Sequence, residues 1–116
     1  MSNKKLILVI EDEPDILELV EMVLRQDYDV VLASDGESGV NWAEKLSFDL
    51  IITDVSMPGK IDGFEIHRRF CNQVPIMLMS GYANFSDAEM EEFKMIQKPM
   101  DLIEMKKKVD LLLNVA

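Results

Sequence analysis

Residues Leu6 to Ile10 form an unbroken apolar run, rich in β-branched side chains, that stops at Glu11-Asp12-Glu13. A run without alternation is what a strand covered on both faces of a parallel sheet requires. From Pro14 the period turns helical: Ile16, Leu19, Val20, Val23 and Leu24 recur three and four apart. Proline lies in the first turn and acids come early, where the helix dipole favours them. The alternation then repeats. Val30 to Ala33 reads as a second strand, and SDGESGVNWAEKL as a second helix capped by Ser or Asp, packing Val40 and Ala43 with Trp42 a further candidate. Leu50 to Thr53 is a third strand and Phe64 to Phe70 a third helix. VPIMLM, residues 74–79, is a fourth strand entered through Pro75 and ended by Ser80-Gly81. A weaker helix covers 86–93, a short fifth strand 94–97, and a last helix runs from Asp101 to Leu113 with Leu102, Met105, Val109 and Leu112 on one stripe. Five strands alternating with five helices predict an α/β, doubly wound parallel sheet with right-handed crossovers and helices on both faces.

Size and charge narrow the reading. The 116 residues fit a single domain spanning 1–116, with no internal repeat, linker or low-complexity segment. Apolar residues at 48% exclude a disordered chain. A formal charge of −10 repels phosphate backbones and anionic headgroups, so neither direct nucleic-acid binding nor membrane association is expected. The basic run Lys106-Lys107-Lys108 falls in the last helix and reads as a solvated face. One cysteine, Cys71, cannot form an internal disulfide; it sits at a helix end without a nucleophilic partner and reads as structural. MSNKK precedes too few apolar residues for a secretory or membrane segment, which predicts a cytoplasmic protein.

In an open parallel sheet, ligands bind beyond the carboxyl ends of the strands, where strand order switches. Here those ends carry Glu11-Asp12, Asp54, Ser80-Gly81 and Lys98-Pro99. Taken singly, each fits a structural role: acids and serine cap helices, and Lys-Pro ends a strand. Together they place three carboxylates on one rim, where mutual repulsion calls for a cation. Oxygen ligands without His or Cys suit Mg²⁺, which takes one or two carboxylates, keeps waters and accepts phosphate oxygens. A metal and a lysine flanking a carboxylate are what phosphoryl transfer onto that carboxylate requires, with Ser80 able to donate to the phosphoryl group.

The order ILVIEDEPDI, DLIITDVSMPG with DGFE, VPIMLMSG and QKPM resembles the receiver domain of two-component response regulators, the CheY-like family. The resemblance covers essentially the whole chain and implies a flavodoxin-like sheet of order 2-1-3-4-5. It implies that Asp54 is the phosphoacceptor, Asp12 a direct Mg²⁺ ligand, Glu11 a ligand through water and the Ser56 backbone carbonyl a further ligand. Ser80 matches the hydroxyl that follows the phosphoryl group, and Lys98 the lysine that pairs with it. Ser56 and Tyr82 hold positions that adjust the rate of phosphate loss. Met95 stands where the family places an aromatic switch. Two lengths also depart from the pattern: the loop from Asp54 to Asp62-Gly63 is a residue longer than usual, and only 18 positions separate Ser80 from Lys98. Helix four is therefore expected to be short or irregular.

The leading expectation is a phosphorylation-switched signalling module. A histidine kinase or phosphotransfer protein donates to Asp54, and the altered surface binds an output protein of unknown identity. The module is no enzyme beyond its own phosphotransfer and dephosphorylation, and stands alone as a monomer or weak homodimer. Ser80 and the segment after it are the candidate two-state element. A constitutive interaction module of the same fold is the alternative; the intact set of Glu11, Asp12, Asp54, Ser80 and Lys98 argues against it. A haloacid-dehalogenase-like hydrolase would carry an acid where Ser56 stands, and a flavodoxin-like cofactor would be repelled by the acidic loop after strand one. His67 is expected on helix three away from the rim, and Met90 and Met100 on an adaptable contact surface.

Overall fold

The computed structural model describes residues 3–81, 85–98 and 101–113. Tyr82, Pro99 and Met100 lie outside the described residues. The elements run β1 (Leu6–Ile10), α1 (Pro14–Leu24), β2 (Asp29–Ala33), α2 (Gly36–Lys45), β3 (Leu50–Asp54), α3 (Gly63–Phe70), β4 (Ile76–Ser80), α4 (Asp87–Glu92), β5 (Ile96–Gln97) and α5 (Leu102–Leu113). The five strands are parallel in the order β2-β1-β3-β4-β5. The expected architecture and strand order are both observed.

Alternation along each strand divides the core into two layers, because successive side chains leave opposite faces of a sheet. Leu8, Ile10, Ile51, Ile76 and Leu78 join Val40, Ile66 and Phe70 on one face. Ile7, Val9, Leu50, Ile52, Met77 and Met79 join Val20, Leu24, Met105 and Val109 on the other. All five residues of β3 and of β4 are buried, as the unalternating apolar runs require.

Boundaries differ from the sequence reading in instructive ways. Asp54 and Ser80 are the last residues of β3 and β4, not the first residues after them, since Asp54 pairs with Met79 and Ser80 with Gln97. The fifth strand is two residues, not 94–97, because Lys94 takes a left-handed φ of 51°. Trp42 does not pack in the core: it is 39% exposed, with the Lys45 ammonium 5.9 Å from its ring centroid. Leu113 packs on the α1/α5 layer, whereas Ile103 and Leu111 face out. Cys71 is an exposed C-cap of α3, with no part in the core.

Helix α4 is short, with six residues and none buried. Its N-terminus is well made: Ser86 accepts from the Glu89 N–H and Glu89 reaches back to the Ser86 N–H, a reciprocal capping box. Its C-terminus is a Schellman turn, in which Met95 N–H donates to the Met90 carbonyl at 2.7 Å and Lys94 N–H to the Glu91 carbonyl at 3.2 Å. The left-handed residue of that turn is Lys94 where glycine is usual. The shortened span between Ser80 and Lys98 is thus accommodated by a helix of under two turns closed tightly onto β5.

Candidate functional site at the strand ends

Backbone pairing continues past each strand into the residues that carry chemistry. Glu11 N–H donates to the Ala33 carbonyl at 3.0 Å, Val55 N–H to the Met79 carbonyl at 2.8 Å and Lys98 N–H to the Ser80 carbonyl at 2.7 Å. These bonds fix the origins of the Glu11, Asp54, Ser80 and Lys98 side chains on rigid sheet. Glu11, Asp54 and Ser80 are 0%, 6% and 3% exposed.

Carboxylate oxygens of Glu11, Asp12 and Asp54 lie within 4.8 Å of one another. Lys98 Nζ bridges two of them, at 2.5 Å from Glu11 Oε1 and 3.1 Å from Asp54 Oδ2. Glu11 also accepts from the Glu13 N–H at 3.3 Å. Burial pushes the Glu11 carboxyl up to about 7 against the opposing Lys98 hydrogen bond, and the charge of Asp54 adds to the rise. Burial disfavours the Lys98 ammonium, yet its hydrogen bonds to Glu11 and Asp54 outweigh that and raise its pKa. The lysine is therefore held charged between two acids. Three converging hard oxygen donors, with neither His nor Cys among them, fit a Mg²⁺-like divalent cation.

The loop from Val55 to Asp62 is pinned at both ends. Gly63 N–H donates to the Val55 carbonyl at 3.0 Å, and the Asp62 side chain caps α3 through the Glu65 N–H at 2.9 Å. Gly63 lies so close to β3 that a Cβ would come 2.3 Å from the Asp54 carbonyl oxygen. The loop's tip turns at Gly59, whose φ is 100°, and the exposed stretch Pro58-Gly59-Lys60 accommodates the extra residue. Ser56 is exposed beside the site, and Met57 anchors the loop in the core.

The structure brings Glu11, Asp12, Asp54 and Lys98 together, with Ser80 at the adjoining strand end. Met95 is separate: it is 2% exposed and packed in the α2/α3/α4 layer. His67 sits on α3 with its ring 5.0 Å from Phe93, away from the acids, and burial lowers its pKa. Sequence reasoning assigned Glu11 to a metal through water and missed that it is the nearer partner of Lys98. The signal was the extra methylene of Glu over Asp at this position, which gives it reach. It also missed Phe64 and Phe93, whose rings meet edge to face at 5.5 Å, because aromatic residues at helix positions read only as core.

Five parallel strands in this order, with an acidic cluster and a bridging lysine at their carboxyl ends, are the frame of a signalling receiver domain. The chain belongs to the response regulator receiver domain family, whose model matches residues 7–110. It is 37% identical over 86 residues to response regulator GtcR of Aneurinibacillus migulanus, covering 72% of this chain and 35% of that protein. To the alkaline phosphatase synthesis transcriptional regulatory protein PhoP of Bacillus subtilis it is 43% identical over 82 residues, covering 67% and 33%. The matches thus span about a third of these relatives. Among solved structures, response regulator TrrA of Thermotoga maritima, in complex with Mg²⁺ and BeF, superposes with a TM-score of 0.78 at 32% identity, covering 94% of this chain and 99% of that one. Chemotaxis response regulator CheY4 of Vibrio cholerae gives 0.82 at 28% identity, covering 96% and 100%. Among the described residues, no helix is long and apolar enough to cross a membrane.

Proposed function

We propose that this receiver domain accepts a phosphoryl group on Asp54 from a histidine kinase or phosphotransfer protein, and that the transfer changes the surface it presents to an output protein. The observation that carries the proposal is the Lys98 ammonium bridging Glu11 and Asp54 beside Asp12, all at the carboxyl edge of the sheet. The relative TrrA, solved with Mg²⁺ and BeF, supports the same reading by similarity.

Asp12, Asp54 and the Ser56 carbonyl would hold Mg²⁺, with Glu11 acting through water. The bound cation would offset negative charge on the incoming phosphoryl oxygens. Asp54, 3.1 Å from the Lys98 ammonium, attacks phosphorus with a carboxylate oxygen; the new O–P bond forms as the donor's N–P bond breaks, and the donor imidazole leaves with its electron pair. Lys98 then shifts its pairing from the Asp54 carboxylate towards a phosphoryl oxygen, and the Ser80 hydroxyl donates to another. Water later cleaves the acyl phosphate, at a rate to which Ser56 and Tyr82 contribute. The domain acts on no external substrate.

The test is incubation with Mg²⁺ and a small-molecule phosphodonor, followed by intact-mass measurement. One acid-stable, base-labile phosphoryl group per chain is expected, absent from Asp54→Ala and slowed in Asp12→Asn. An adduct that persists in Asp54→Ala would refute the assignment.

A further inference from the structure

Met95 stands where the family carries its switch residue, yet its surroundings leave it little freedom. Its side chain is 2% exposed, its N–H is bonded into the Schellman turn at 2.7 Å, and its carbonyl accepts from Lys108 Nζ at 3.4 Å. The lightly held element is α4, which buries none of its own residues. It is fastened by the aromatic residues that flank it. Phe85 directly precedes the Ser86 cap, and Phe93 is the C-cap. Both rings pack on one residue of α3: Phe64 lies 6.1 Å from Phe85 and 5.5 Å from Phe93, centroid to centroid.

Phe64 is also tied to the acidic site through its backbone. Its neighbour Gly63 donates to the Val55 carbonyl and rests against the Asp54 carbonyl with no room for a methyl group. A shift of the Asp54–Val55 segment therefore displaces the first turn of α3, and with it the ring on which both ends of α4 sit.

We propose that Phe64 is the positioning residue that couples the Asp54 end of β3 to helix α4, so that α4, and not Met95, responds to the state of the site. This rests on the reading of Asp54 as phosphoacceptor given above. Edge-to-face ring pairs are strong enough to bias a short helix without locking it. Coupling of this kind needs an element with two arrangements that both sites bias, and α4 on its ring platform is that element.

The experiment measures amide hydrogen exchange of residues 87–93 with and without Mg²⁺ and beryllofluoride, a phosphoryl mimic, while intact-protein mass or fluorine NMR reports adduct formation separately. In the wild type the adduct should change exchange in α4 by roughly 2- to 10-fold, the range one ring pair can supply. Phe64→Leu and Phe93→Leu, which keep an apolar side chain, should form the adduct normally, exchange faster in α4 beforehand and lose the response. Met95→Leu should keep it. A Phe64→Leu protein that forms the adduct and retains the wild-type response overturns the proposal, as does loss of the response in Met95→Leu alone. If the wild type forms no adduct, the phosphoacceptor reading fails first and the coupling falls with it. If it forms one and α4 does not change, only the coupling fails.

Discussion

Lys94 holds a left-handed conformation, φ 51°, that costs an L side chain about 1–2 kcal/mol. Replacing it with glycine removes that strain and adds backbone freedom to the unfolded chain, two effects of opposite sign. Lys94→Gly is expected to gain about 0.5–1 kcal/mol in urea unfolding, and Lys94→Val to lose at least as much, because a β-branched residue is strained there. Gly63 is the opposite case. Gly63→Ala puts a methyl against the Asp54 carbonyl, and a loss of about 1–3 kcal/mol is expected from overpacking against backbone. At this scale the meeting of the rim groups was legible and their fit was not. The convergence of Asp12, Asp54 and Lys98 could be read because strand ends bring such groups to one rim; the Glu11–Lys98 contact was signalled only by the length of the Glu side chain, since a hydrophobic pattern does not show reach across two strands.

Elements add the interactions between helices that a linear pattern does not reveal. The periodicity located all ten elements, because burial on one or both faces sets the repeat along the chain. It could not bound β3, β4 or β5, where hydrogen bonds from neighbouring strands and the tight end of α4 decide the limits. The capping box of α4 gives a direct check: Ser86→Ala is expected to speed amide exchange in residues 87–93 roughly 5-fold, the effect of about 1 kcal/mol in a locally opening helix. Global unfolding should hardly change.

A second element-level tie joins α5 to the α1–β2 turn. Tyr28 donates its hydroxyl to Asp110 at 2.5 Å, and Lys106 pairs with Asp27 at 2.7 Å and Asp110 at 3.0 Å. Burial works to raise the Asp110 carboxyl, but the Tyr28 and Lys106 hydrogen bonds hold it below the ordinary 3.8. A depressed folded-state pKa contributes stability that is complete above the unfolded value and disappears as pH falls through the folded one. Tyr28→Phe should therefore cost about 1 kcal/mol at pH 7, modest because Asp110 is part-exposed, and the gap from wild type should close below about pH 3.8 in acid titrations of thermal stability.

For the molecule as a whole, a net charge of −10 and an acidic cluster at one rim make cations a stabilising influence. A divalent ion that binds only the folded state at ten times its Kd adds about 1.4 kcal/mol. Mg²⁺ is accordingly expected to raise the melting temperature of the wild type, with the increment much reduced in Asp12→Asn; an equal increment in both would place the ion elsewhere. NaCl at matched ionic strength separates screening from site binding.

The turn that closes α4 leaves the chain without slack. Only Met95, Ile96 and Gln97 stand between the helix-ending Lys94 and the site lysine, and the Lys98 N–H is already fastened to the Ser80 carbonyl. A displacement of the helix end cannot be absorbed by a loop before it reaches Lys98. Lengthening this segment by two or three flexible residues would act as a clutch, letting the helix move while the lysine stays in place.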